Sequence, residues 1–457
     1  MKAYETNYWS LYFDYLKLFS NEAPHGYPIV LLSQFYEHIR KTPILQNELK
    51  DKPALDGMIH CIETEEEVQL LFGEYLPESM KKEGKGRIAL HDHLLRFPPS
   101  VLKSFPVRET VIINNKSRHR KKNTGLPIIS LQDSEHEIEH RIDHFKEKWY
   151  EIFKKYSRHP LMKYPAFKKR LIEELPRLLK ASAAAEKVIK KEKPRVLLLG
   201  TTNTCESRAL ALTARKMDIP VICMQHGIIG LEFGYMPVLS HVQAVYGEYE
   251  YDWYLRKGIP SVNVRVTGHP RFDEITTKKY NPPLKLKLEP RKTTVLFIHH
   301  HEEVKVPREI ITQLYAQSHL QLIIKSRGSP KEIRKLQGAF PGIRIASGIH
   351  LYDLIKAADV VVSYPSTVVL ESLLADRPVF IWSIPGEDPP LYFKAFENCI
   401  YSSPSRLVKQ LLNHVNKNKL KELLINEKDF LSYHYPLAGE ERTSTDELLH
   451  IIKNMNG

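Results

Sequence analysis

Two textures divide the chain by its pattern of apolar and polar positions. From about Arg195 onward, short continuous runs of Val, Ile and Leu alternate with amphipathic stretches. The runs are Val196 to Leu199, Val221 to Met224, Val242 to Tyr246, Val264 to Thr267, Thr294 to Ile298, Leu320 to Ile324, Ile343 to Ala346, Val360 to Ser363 and Val379 to Trp382. Runs this short, without polar alternation, predict strands buried on both faces, and helical segments between them make the strands parallel. Before Arg195 the dominant spacing is three and four residues. Trp9, Tyr12, Phe13, Leu16 and Phe19 share one helical face in a helical region covering residues 1 to about 50. That face packs either on its own domain or at a membrane interface. A longer helical stretch lines up Ile138, Ile142, Phe145, Trp149, Ile152 and Tyr156, then Phe167, Leu171, Leu175 and Leu179, with Pro160, Pro165 and Pro176 expected to break or kink it. Leu55 to Ile62 and Thr110 to Ile113 read as two further buried strands.

A chain of 457 residues exceeds what one core usually organises. Pro282, Pro283 and Pro290 stand among charges between Asn281 and Lys292, just before a new strand, and mark a boundary. The reading is an α/β protein of two domains. Residues 1–285 form the first, with helical insertions and an N-terminal helical extension; residues 286–457 form the second, its last helix free to return to the first. Parallel sheets on either side of such a linker leave a cleft at the carboxyl ends of their strands, where ligands of open α/β sheets bind.

No apolar run is long enough to span a membrane, and the first residues lack the layout of a secretory signal, so a cytoplasmic location is expected. Four scattered cysteines signal neither a zinc site nor a disulfide framework. The formal charge of +13 favours an anionic partner. Lys116, Arg118, Arg120, Lys121 and Lys122 form one dense basic loop, either solvated or in contact with an anion or membrane. The other basic residues are dispersed without a stacking platform, which argues against nucleic acid.

Candidate chemistry gathers at strand ends. In Ser363-Tyr364-Pro365-Ser366-Thr367 a strand gives way to a helix, so backbone N–H groups and two hydroxyls face the cleft. Ser366 or Thr367 also suits a plain N-cap. Glu371, one turn on, is a carboxylate among Val368, Val369, Leu370, Leu373 and Leu374 and can accept from ribose hydroxyls. Met224-Gln225-His226-Gly227 closes another strand, with His226 a candidate base and Gly227 permitting close backbone approach. Gly268-His269-Pro270-Arg271-Phe272-Asp273 closes a third; Arg271 reaches a phosphate or pairs with Asp273. The second domain adds His299-His300-His301-Glu302 and Lys325-Ser326-Arg327, with Lys325 and Arg327 suited to a leaving diphosphate. Neither the triple histidine nor His91-Asp92-His93 offers a convergent ligand set, so no metal is assigned.

The stretch from Ala358 to Val379 resembles the nucleotide-binding element of GT-B glycosyltransferases, UDP-N-acetylglucosamine 2-epimerases and CDP-glycerol glycerophosphotransferases. The Gln225-His226-Gly227 turn and the Gly268 to Asp273 turn are similar to those of the glycerophosphotransferases and capsule-polysaccharide transferases. The likeness covers Arg195 to Pro385 and departs from the surface-polymer transferases at Lys325-Ser326-Arg327, where those carry Lys-Pro-His-Pro. It implies a GT-B fold of two Rossmann-like domains. It also implies a transferase moving a sugar or polyol phosphate from a UDP- or CDP-linked donor to a polysaccharide or lipid-linked acceptor, with no cofactor required. His226 is then the base, the hydroxyl turn, Lys325, Arg327 and Arg271 meet phosphate, Glu371 meets ribose, and Gly227 and His299 line the cleft. Such acceptors sit at the anionic inner face of a membrane, which the basic charge suits. A nucleotide-sugar 2-epimerase is the alternative enzyme, with Glu206 and Glu232 its nearest carboxylates; a non-catalytic relative using the cleft for binding is the other.

Overall fold

The computed structural model describes residues 1–51, 55–77, 86–116, 124–132, 139–278, 284–299, 307–326, 330–384, 386, 389–424 and 427–455. Two parallel sheets organise it. The first contains β1 (Ile88–His91), β2 (Thr110–Asn114), β3 (Ile128–Ser130), β4 (Val196–Leu199), β5 (Val221–Met224), β6 (Val242–Val245) and β7 (Val264–Val266), in the order β3-β2-β1-β4-β5-β6-β7. The second contains β8 (Thr293–His299), β9 (Leu320–Ser326), β10 (Arg344–Ile345), β11 (Val360–Ser363), β12 (Val379–Trp382) and β13 (Ile400–Tyr401), in the order β10-β9-β8-β11-β12-β13. Strand order therefore reverses between β1 and β4 in one sheet and between β8 and β11 in the other. At such switch points the loops diverge and open a crevice beyond the strand ends.

The central strands β1, β4, β5, β11 and β12 are buried along their whole length, which is why their sequences are mostly apolar. Ala89, Leu197 and Leu199 face a core shared with the helices, while Ile88, Leu90, Val196 and Leu198 face the opposite way, following the two-residue period of a strand. The opposite face is covered by Leu448, Ile451 and Ile452 of the terminal helix Ser444–Asn454. Asp273 anchors that helix by accepting from the backbone N–H of Ser444 and Thr445 (3.1 and 2.9 Å) and from the Thr445 hydroxyl (2.6 Å). Of the two partners offered for Arg271, a phosphate or Asp273, the second is not what the structure uses: the Asp273 oxygens serve the helix start instead.

The helix Ala3–Leu18 is buried nearly all round, so its aromatic face packs within the protein. The helix Pro165–Glu192 starts on Pro165, where a missing N–H is tolerated, and continues through Pro176. Leu55 to Ile62 is not a strand. Its Ile59 and His60 N–H groups donate to the Asp14 carboxylate (2.7 and 3.1 Å) rather than to a sheet partner, and Gly57 adopts a φ of 87°. No helix among the described residues is long and apolar enough to cross a membrane.

Candidate active site

At the first switch point the loop after β1 crosses directly over Gly200, the residue that follows β4. A Cβ on Gly200 would lie 2.2 Å from the Leu95 nitrogen, so only glycine lets the loop settle there. Leu94 and Arg96 both take left-handed conformations, with φ of 58° and 55°, which reverses the chain and leaves Arg96 exposed. Its Nη1 lies 3.4 Å from the His226 carbonyl oxygen, to which it donates. Arg96 is absent from the sequence reading because its position depends on two strained neighbours and on Gly200, more than a hundred residues away.

His226 follows β5 directly, half-buried, its ring stacked on Tyr235 at 5.3 Å. The turn is held by Gln225, whose Nε2 donates to the Gly227 carbonyl and to Glu250 (2.8 Å each) while its Oε1 accepts from Tyr246 N–H (2.9 Å). Tyr235 donates to the carbonyls of Gly227 and Ile228. Burial, and then the charges of Arg96 and Arg271, push His226 down to about 4. It is therefore neutral at physiological pH, able to accept a proton. A cavity bordered by His226, Gln225 and Tyr235 measures about 10 Å³, room for roughly one water and too small for a substrate.

Arg271 and Glu371 meet between the two sheets. Arg271 sits in the turn after β7 and is 8% exposed; Glu371 sits in the helix Thr367–Leu373 after β11 and is 5% exposed. Arg271 Nη2 lies 3.2 Å from Glu371 Oε1 and 3.4 Å from the Tyr246 hydroxyl, and Tyr352 donates to the Arg271 carbonyl at 3.5 Å. Burial pushes the Glu371 carboxyl up, against the pull of Arg271 and then Arg96. Ile228, two residues beyond His226, packs against the same cluster as Val368, Val369 and Leu370, which brings the histidine turn and the glutamate helix to one seam.

The remaining predicted residues fall as follows. Ser366 is the N-cap of the Glu371 helix, accepting from Val368 N–H at 3.3 Å, and Thr367 is half-buried at the first helical position. His299 ends β8 at the second switch point, 1% exposed, with Nδ1 3.0 Å from the Ser326 hydroxyl and its ring 5.8 Å from Tyr364. Lys325 donates to the Ile349 carbonyl at 2.7 Å. Arg327, His300 and His301, with Arg118, Arg120, Lys121 and Lys122 of the basic loop, lie outside the described residues. Of the two carboxylates weighed for epimerisation, Glu232 is committed to Trp9 and Lys257, and Glu206 is held by Arg177 at 3.1 Å. Among the described residues no group of His, Cys, Asp and Glu could hold a metal ion.

No protein-family model and no curated protein matches the sequence. Solved structures do match. The UDP-GlcNAc 2-epimerase from Neisseria meningitidis bound to UDP-GlcNAc is similar over 81% of this chain and 99% of its own, with a TM-score of 0.53 at 13% identity. HepE from Anabaena in complex with UDP and glucose covers 81% and 99%, at a TM-score of 0.51 and 10% identity. The glycotransferase of kitacinnamycin covers 81% and 99%, at 0.51 and 11%. Agreement of this extent at such low identity is agreement of architecture: two Rossmann-like domains with parallel sheets, the GT-B fold.

Proposed function

We propose that the chain is a GT-B transferase that moves a sugar or polyol phosphate from a UDP- or CDP-linked donor to a polysaccharide or lipid-linked acceptor. Residues 1–285 present the acceptor side and residues 286–457 the donor side. The observation that carries this reading is the convergence of a neutral imidazole, two arginines and a buried carboxylate at the carboxyl ends of both sheets: Arg96 and Arg271 act on both His226 and Glu371. Glu371 accepts from the donor ribose, and the diphosphate draws on Arg271, Arg96 and the hydroxyl turn at Ser366 and Thr367. Lys325 and His299 complete the second domain's wall, Arg327 is the further cation proposed from the sequence for the diphosphate, and Gly227 leaves room beside the base. His226 takes the acceptor hydroxyl proton as that oxygen bonds to the transferred group and the bond to the nucleotide breaks; the departing negative charge falls to the arginines. Donor binding also prepares the base, because a diphosphate beside Arg96 and Arg271 offsets two of the charges that hold His226 down. Solved structures of this fold carry UDP or UDP-GlcNAc, which supports a nucleotide donor. The surplus of basic residues suits work at an anionic membrane surface.

The epimerase alternative is weakened by the engagement of Glu232 and Glu206 in ion pairs, since removal and return of a sugar proton needs carboxylates facing the ring. Thermal unfolding with a nucleotide panel tests the proposal first: UDP or CDP raises the midpoint of the wild type. Product analysis of a bound UDP- or CDP-linked donor with and without acceptors then separates the readings. Transfer supports the proposal, isomerised donor without acceptor points to the epimerase, and binding without turnover points to a scaffold.

A further inference from the structure

Arg271 and Glu371 come from different sheets, yet each is the other's counter-ion, 3.2 Å apart and almost wholly removed from solvent. A ligand that draws only Arg271 toward a phosphate leaves a carboxylate buried without its cation. One that draws only Glu371 toward a ribose leaves a guanidinium buried without its anion. Either half-exchange is penalised heavily, because an uncompensated buried charge is far less stable than a buried pair. A molecule carrying both a diol and a phosphate replaces both halves of the pair at once.

Two buried donors of the turn after β7 are unused. Arg271 Nε is buried and makes no hydrogen bond among the described residues, and neither does His269 Nε2. His269 Nδ1 accepts from the Arg271 backbone N–H at 3.1 Å, and burial holds its ring well below the usual histidine range, so the neutral ring carries its proton on Nε2 as an unused donor. The structure pairs Arg271 through Nη2 and leaves its Nε unused.

We infer, resting on the donor-site reading above, that the Arg271–Glu371 pair is a coincidence lock that admits nucleotides and rejects both nucleosides and free phosphates. Binding exchanges partners: the pair opens, Arg271 turns to the phosphate and Glu371 to the ribose hydroxyls. No covalent step is involved.

Calorimetric titration tests it with UDP, CDP, their 5′-deoxynucleosides and inorganic pyrophosphate. The 5′-deoxynucleosides lack the oxygen that would collide with pyrophosphate. On the wild type, whichever nucleotide binds does so at least about 100-fold more tightly than either fragment, and each fragment tightens the other on the order of tenfold, because the first has already opened the pair. Glu371→Gln frees Arg271, so its pyrophosphate affinity rises on the order of tenfold over wild type while nucleotide affinity falls. In the double variant Arg271→Gln/Glu371→Gln the pyrophosphate gain disappears. If UDP and CDP both fail to bind the wild type, the donor-site reading falls and the lock with it. If a nucleotide binds but the fragments bind independently, the lock alone falls; the fragment measurement needs only wild-type protein and decides the matter even where Glu371→Gln does not fold.

Discussion

The helical extension and the seam between the sheets both bury charged side chains, and they treat them differently. Asp14, in the extension, is fully buried and accepts four hydrogen bonds: from Ile59 and His60 N–H, from His60 Nδ1 (2.8 Å) and from His159 Nε2 (3.0 Å). His159 Nδ1 in turn accepts from Leu161 N–H. Arg208, 3% exposed, donates to Tyr12, Leu31, Ser33 and Thr202 at 2.7 to 2.9 Å. These groups are satisfied by the loops they tie down, and a ligand would have nothing to add. At the seam, Arg271 and His269 keep buried donors unused. Burial is common to these four groups; what separates Asp14 and Arg208 from Arg271 and His269 is the saturation of their hydrogen bonds.

The largest effect should come from the seam's base. His226→Asn is expected to lower kcat/KM by roughly 10²- to 10⁴-fold, the usual contribution of a positioned base. The unfolding midpoint should move little, since asparagine is also polar and the ring's contact is a stack on one face of Tyr235. In the wild type the base form of His226 dominates above about pH 4, so kcat/KM should be lost as pH falls through that value and not through 6.5. A histidine variant with full turnover would remove the seam from the chemistry altogether. The extension should respond in the opposite way. Asp14→Ala strands four donors and is expected to cost about 3 kcal/mol or more in denaturant unfolding, while the folded fraction keeps wild-type nucleotide affinity. Loss of affinity there would show that the two regions are not separable.

This contrast was only partly legible in the sequence. The continuous apolar runs identify β4, β5, β11 and β12 with their observed ends, because a strand buried on both faces leaves little room for polar residues. β1, β3 and β13 are not among the runs read from the sequence, although β1 is as long and as buried as β4. β1 owes its central place to neighbours β2 and β4 rather than to its own sequence. Leu55 to Ile62 misled because its apolar residues are indeed partly buried while its backbone donors go to a carboxylate some 45 positions earlier. At the site, His226, Arg271 and Glu371 stood out as polar residues at strand ends, but their pairing did not. Arg271 and Glu371 are a hundred positions apart, and Asp273, the local alternative to a phosphate, is taken by the terminal helix.

Glu250 is a third kind of buried charge, fully buried beside the histidine turn and in no ion pair among the described residues. Its Oε1 accepts from Gln225 and its Oε2 from Gly247 N–H at 3.2 Å, yet burial outweighs both and pushes the carboxyl up to about 8. The unfolded chain releases this proton near pH 4.3, so folding takes up a proton between those values. The associated stability is present below the unfolded value and is lost as pH rises through about 8, with a slope approaching roughly 1.4 kcal/mol per pH unit. Glu250→Gln should flatten this dependence. It should also be about 1 kcal/mol less stable near pH 5, where its amide cannot accept from Gly247. Parallel curves for the two proteins would mean that Glu250 is ionised in the fold.

Arg96 should give the smallest change and the sharpest test of how the seam reaches solvent. It is exposed, so its attraction for a phosphate is weakened by water and salt, and Arg96→Ala should reduce nucleotide affinity by about tenfold at low ionic strength and less at high salt. The Arg271–Glu371 pair is buried and screened far less, so variants at those positions should show no such salt dependence. Arg96 also depresses His226. Removing it should therefore raise the acid limb of kcat/KM above pH 4 even as binding weakens, whereas a residue that only shaped the loop would leave that limb unmoved. The two readouts also separate charge from scaffold: Arg96→Lys keeps a cation on the same backbone and should restore most of the shift in the pH profile. Failure of lysine to do so would assign the effect to the strained loop over Gly200 rather than to the guanidinium charge.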